Sequence, residues 1–163
     1  MIGDRWGVTR AETSLHYPCD DLVPHSAWQA WRGITVDATP DAVWPWIAQI
    51  RLAPYSYDWI DNRGRRSPRE LRGLDEPRVG EPFSATAGRP LGTIVAVEPG
   101  VHLTATIMGV HMSYVLVGAG HRTRLLLKLA ARRGRGFGPL LAVGDLVMAR
   151  KQLLTLKELA EGG

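Results

Sequence analysis

Between residues 81 and 131 the sequence divides into five strand-like runs, 81–87, 91–98, 101–108, 112–117 and 123–131, each followed by turn chemistry. The separators are Gly88-Arg89-Pro90, Pro99-Gly100, Gly109-Val110-His111 and Gly118-Ala119-Gly120, all of hairpin length. Consecutive hairpins predict an antiparallel meander. A break at Arg133-Gly134-Arg135-Gly136 then leads into one long helical segment over 138–161. There Leu140, Leu141, Gly144, Val147, Met148, Leu154 and Leu159 mark an apolar face. Its polar residues, Arg150, Lys151, Gln152, Lys157, Glu158 and Glu161, gather toward the C-terminal half. A twisted antiparallel sheet has a face to bury, and one long helix can cover it. Such a helix cannot fill a strongly curved sheet, so a void between helix and strands is expected.

The segment before the meander adds a second constraint. Ile34, Val36 and Ala38 alternate with Thr35 and Asp37, the period of a half-buried strand. Thr39 follows in an N-cap position, with Pro40 at the first helical position and Asp41 in the first turn. Val43, Trp46, Ile47 and Ile50 continue at helical spacing. A strand, a tight corner, then Asp-Ala-Thr-Pro-Asp-Ala-Val-Trp: this run resembles the opening of the SRPBCC superfamily, the START-like, helix-grip or polyketide-cyclase-like proteins. Asp20-Asp21-Leu22-Val23-Pro24 and Tyr55-Ser56-Tyr57-Asp58-Trp59 resemble elements of a bacterial branch with a Trp-Pro-Trp first helix. Cys19 departs from that branch, which carries Gly there. The resemblance implies an α+β helix-grip fold. Its parts are a curved antiparallel sheet of six to seven strands, two short helices (the second near 55–62) and the C-terminal helix around a cavity. It also implies that the cavity holds a small hydrophobic or amphipathic molecule.

Composition narrows the alternatives. The length of 163 residues suits one domain, with residues 1–27 as an arm wrapping it. No run approaches the roughly 18 apolar residues of a membrane span. The polar N-terminus lacks the apolar core of a signal peptide, and Cys19 is the sole cysteine. A soluble cytoplasmic protein, monomer or homodimer, is the expectation. The net charge of +4 comes from arginines crowded at 63–72 and 132–135. They read as solvated loops, or as an anion or nucleic-acid surface; no nucleic-acid partner is expected.

The sequence carries no metal signature and no cofactor motif: no Gly-x-Gly-x-x-Gly precedes a helix, and the five histidines show no i,i+4 pair. The candidate cavity residues are Trp46, Tyr57, Trp59, Met108, Met112, Tyr114, Leu141, Gly144 and Met148, with simple core filling as the other reading of the rings and methionines. Tyr57, Asp58, His102 and His111 are the candidates for proton transfer if the cavity catalyses. On the fifth run Arg124 and Lys128 alternate with leucines, which puts them on a solvent face. Their alternative is a buried cation gripping a carboxylate. Three functions stay open: a binding protein, a cyclase or dehydratase-type enzyme, and a basic interaction module.

Overall fold

The computed structural model describes residues 4–56, 63–132 and 139–162, with residues 139–147 described by their backbone alone. The element order is β1 (Arg5–Trp6), α1 (Arg10–Thr13), α2 (Pro18–Leu22), β2 (Trp28–Val36), α3 (Pro40–Ala48), β3 (Pro82–Thr86), β4 (Arg89–Glu98), β5 (His102–Ile107), β6 (Val110–Ala119), β7 (Arg122–Ala131) and α4 (Pro139–Glu161). A single 3-10 turn, Gln49–Arg51, extends α3. The five runs of the meander appear as β3 to β7, and the long helix as α4. The expected second short helix falls mainly on residues outside the described ones.

The seven strands lie in the order β1-β2-β7-β6-β5-β4-β3. All pairings are antiparallel except β1 against β2, where Arg5 faces Trp31. The first long strand and the last are thus neighbours, and the hairpins fan out from them to the β3 edge. Within β4, Gly92 adopts φ +72°, and a Cβ there would come within 2.4 Å of Ile107 Cγ1 and 2.7 Å of the Thr106 carbonyl. A side chain at that position would push β5 away from its neighbour. A register shift between Ile94 and Ala96 follows directly, the kind of irregularity that bends a strand.

The inner face of the sheet carries Leu103, Ala105, Tyr114, Leu125, Leu127 and Leu129, packed against α3 and α4 in the main core. Thr39 and Pro40 open α3 as expected. Pro45 inside it lacks the N–H that would bond back to Asp41, which suits a helix of only nine residues. Trp44 and Trp46 are both buried but point to different places. Trp44 Nε1 donates to Glu76 Oε2 at 2.9 Å, whereas Trp46 meets the Tyr55 ring edge-on at 6.3 Å.

Among the described side chains of α4 the buried apolar ones are Ala149, Leu153, Leu156, Leu159 and Ala160, with Gln152 buried beside them. Leu154, expected on the apolar face, is instead 39% exposed. The stripe runs 149, 153, 156, 160 with Leu159 beside it; Leu159 and the cavity-lining Met148 lie on the expected face, and Leu154 alone of the expected residues with described side chains turns out of it. The adjacent Leu153 meets the sheet because it keeps i+4 spacing from Ala149.

The outer face is not left to solvent. Residues 5–23 supply β1, α1 and α2, and α2 packs on β6 and β7, where Tyr17, Cys19 and Val23 form a second apolar cluster with Leu126 and Ala130. This corrects the expectation for Arg124 and Lys128. Both do face away from the inner core, but the arm covers them. Lys128 Nζ pairs with Asp20 Oδ1 with its side chain only 6% exposed, lying over the rings of Tyr17 and Trp31 at 5.5 and 5.2 Å. Arg124 Nε binds Glu12 Oε1 at 2.7 Å. The carboxylate that Lys128 grips belongs to the chain itself.

Candidate functional site

Between the inner face of the sheet and α4 lies a cavity of about 280 Å³. Phe83, Ser84, Thr86 and Leu91 wall it on the edge strands, and Ile107, Met112, Tyr114, Leu127 and Leu129 form its floor. Met148, Ala149 and Gln152 of α4 close it from above, with Pro54 and Ser56 at one rim. The curvature of the sheet produces this space. The helix meets the sheet along β2, and the space opens toward β3 at the other edge of the sheet.

The lining is apolar with a few placed polar groups. Tyr114 Oη donates to Gln152 Oε1 at 2.6 Å, and Gln152 Nε2 donates to the Pro54 carbonyl at 2.7 Å. That chain ties β6 through α4 to the segment after α3, so the amide fixes the phenol. Phe83 stacks beside Tyr114 with ring centres 5.9 Å apart. Ser84 Oγ is buried and has no hydrogen-bond partner among the described residues. An unmade hydrogen bond of this kind costs about 1–3 kcal/mol.

Of the residues proposed from sequence, Met112, Tyr114 and Met148 line the cavity. Trp46 does not: it is buried beside Tyr55, on the α3 side of the core. Met108 does not either. It sits at φ 50° in the turn between β5 and β6 and is 79% exposed, because the hairpin reverses one residue before the strand would carry it inward. Tyr57, Asp58 and Trp59 lie outside the described residues, as do the side chains of Leu141 and Gly144.

The two candidate histidines are on the opposite side of the sheet. His102 pairs with Val115 and His111 with Ala130, in the outer-facing set, whereas their neighbours Leu103 and Met112 face inward. Burial pushes both imidazoles below their usual value, in His111 with help from the charge of Arg132. Neither reaches the cavity to exchange a proton there.

Sequence reasoning missed Gln152 and Ser84. Gln152 belongs to the polar half of α4 by composition, yet it lies one turn from Met148, and that i,i+4 spacing was the available signal. Ser84 gave none, since a serine in an edge strand reads as surface.

Neither a protein-family model nor a curated protein sequence matches the chain significantly. Solved structures do share its architecture. Protein MLL2253 from Mesorhizobium loti is 16% identical with a TM-score of 0.57, over 83% of this chain and 98% of that one. The Aha1 dimer from Colwellia psychrerythraea is 15% identical with a TM-score of 0.54, over 82% and 96%. An AHSA1-like protein from Rhizobium etli is 16% identical with a TM-score of 0.51, over 83% and 82%. At such identities the likeness is one of fold, an α+β helix-grip architecture. Among the described residues no helix is long and apolar enough to cross a membrane.

Proposed function

We propose that the chain binds a small hydrophobic or amphipathic molecule in the cavity between its sheet and α4, as a member of the Trp-Pro-Trp branch that the sequence resembles. The observation that carries this reading is the cavity itself. A partly open space of about 280 Å³ lined by Met112, Leu127, Leu129 and Met148 lies near the lower end of the range for small-molecule sites, roughly 300–1,000 Å³. Two methionines in the wall suit it to more than one ligand shape, because their side chains repack readily. The described lining offers hydroxyls and an amide but no carboxylate or imidazole. It therefore supports holding a molecule better than moving protons on one, and binding is preferred over cyclase-type catalysis. Tyr57 and Trp59 stay in the proposal as ligand contacts at the mouth.

The test uses N-phenyl-1-naphthylamine, an apolar dye that brightens out of water. Saturable brightening is expected with the wild-type protein, reversed by decanol. In Ala149→Leu, which adds bulk to the cavity wall, brightening should fall severalfold while cooperative melting is kept. Equal brightening in both proteins would place the dye elsewhere and overturn the reading. A change in tryptophan emission that disappears in Trp59→Phe would assign that ring to the mouth.

A further inference from the structure

Beside the apolar cavity is a second, smaller space of about 140 Å³ with a different character. Arg66 and Arg69 of the Arg-rich segment and Lys151 of α4 converge on it, together with Ser67 and Thr155. Among the described residues no acidic one lines it. Glu158 stands nearby and takes one nitrogen of Arg69, Nη2, at 2.7 Å, with both side chains about half or more exposed. A guanidinium has five N–H donors, so that pair leaves Arg69 able to donate further. The Thr155 hydroxyl is committed to the Lys151 carbonyl at 2.9 Å, so the donors to a ligand would be the three cations. Like charges brought into one pocket repel one another, and an anion placed among them relieves that repulsion.

The two spaces are neighbours along α4. Ser56 lines both of them. On α4, Lys151, Thr155 and Leu159 form one i,i+4 stripe, and Met148 and Gln152 form the adjacent one. The same helix thus offers a basic edge and an apolar edge to neighbouring compartments. At about 140 Å³ the basic pocket holds no more than a small charged group, whereas the two together reach the usual size of a ligand site.

We infer that the ligand is an amphipathic acid, its apolar body in the cavity and its carboxylate or phosphate among Arg66, Arg69 and Lys151. This deepens the binding reading above and rests on it. It also gives part of the Arg-rich segment a task besides solvation, that of holding the charged end of the ligand.

Displacement of N-phenyl-1-naphthylamine by three probes with one chain, decanol, decanoate and decyl phosphate, tests the inference, with decanol as the uncharged reference. In the wild type, decanoate and decyl phosphate should each bind about tenfold more tightly than decanol, equivalent to about 1.4 kcal/mol. Salt should erode that advantage, since the cations are partly exposed. In Arg66→Gln/Arg69→Gln/Lys151→Gln the advantage should vanish while decanol binds as before, which also shows that the variant is folded. Which of the two acids loses more identifies the head group. Equal binding of all three probes to the wild type would overturn the inference and leave the cavity reading intact. So would an anion preference that survives the triple substitution. If decanol itself fails to displace the dye, the cavity reading falls and this inference with it.

Discussion

Lys128 and Ser84 are both buried side chains of the same sheet and are handled in opposite ways. Lys128 is buried, so its charge needs compensation, and it has the Asp20 carboxylate and two aromatic faces. Asp20 is less dependent on the pair, being 24% exposed and also accepting from the Tyr17 N–H at 2.9 Å. Removing one member of a buried pair is costly because of the charge it strands, about 3–5 kcal/mol where both are fully enclosed. Asp20→Asn should therefore destabilise the protein by about 2 kcal/mol or more, the rings offsetting part of the loss. Lys128→Met keeps the apolar contact with Tyr17 and Trp31 and should cost clearly less. Urea denaturation of the two variants decides the order, and a Lys128→Met loss equal to or above that of Asp20→Asn would show that the cation itself, not its isolation, is what matters. Ser84 has no such compensation among the described residues. Its buried hydroxyl is the kind of group a ligand's polar atom would satisfy.

At the scale of elements, the N-terminal arm is held by charge as much as by apolar contact. Glu12 closes a capping box on α1 with Thr9 and also grips Arg124 of β7. The Arg124 hydrogen bonds hold its carboxyl well below the usual 4.5, at about 2. A carboxylate depressed in the folded state contributes stability above its unfolded value, and that contribution is lost as pH falls through the folded one. The arm should therefore loosen between about pH 4.5 and 2, measurable as a falling melting temperature over that window. Glu12→Gln should flatten that limb and lower stability at neutral pH. An unchanged acid limb in the variant would mean that other carboxylates set it. The strands of the meander and the α3 corner were legible because each is written in a local period with turn residues at its ends. An N-terminal arm was expected too, but not what it covers, since its partners are Arg124, Lys128 and Ser113, polar residues that read as surface until another element covers them. Leu154 was misplaced for a related reason: Leu153 and Leu154 are equally apolar, and only contact with the sheet separates them. Within the site, the alternation on β6 correctly placed Met112 and Tyr114 in one set. The sign of that set, inward or outward, depended on which layer sits on which face, and so His102 and His111 remained candidates until the layers were seen.

Over the whole molecule, the cavity and the stability of the fold oppose each other. Interiors are ordinarily packed with few voids larger than a water molecule, and a partly open space of about 280 Å³ between sheet and helix forgoes contacts that a filled core would make. A binding protein accepts that loss and recovers part of it when the ligand enters. Ligand that binds only the folded state stabilises it by RT ln(1 + [L]/Kd), about 2.7 kcal/mol at a hundredfold excess over Kd. Decanoate should accordingly raise the melting temperature of the wild type in a concentration-dependent way. Ala149→Leu fills part of the same space from α4. It should raise the melting temperature without ligand, provided the larger side chain fits without forcing its neighbours off their rotamers. It should also shrink the rise that decanoate produces. The two effects have one cause, so they must appear together. A variant that gains no stability yet still loses the decanoate response would point to blocked entry instead of a filled void. A variant that gains stability and keeps the full response would mean that the ligand sits outside the space between the sheet and α4.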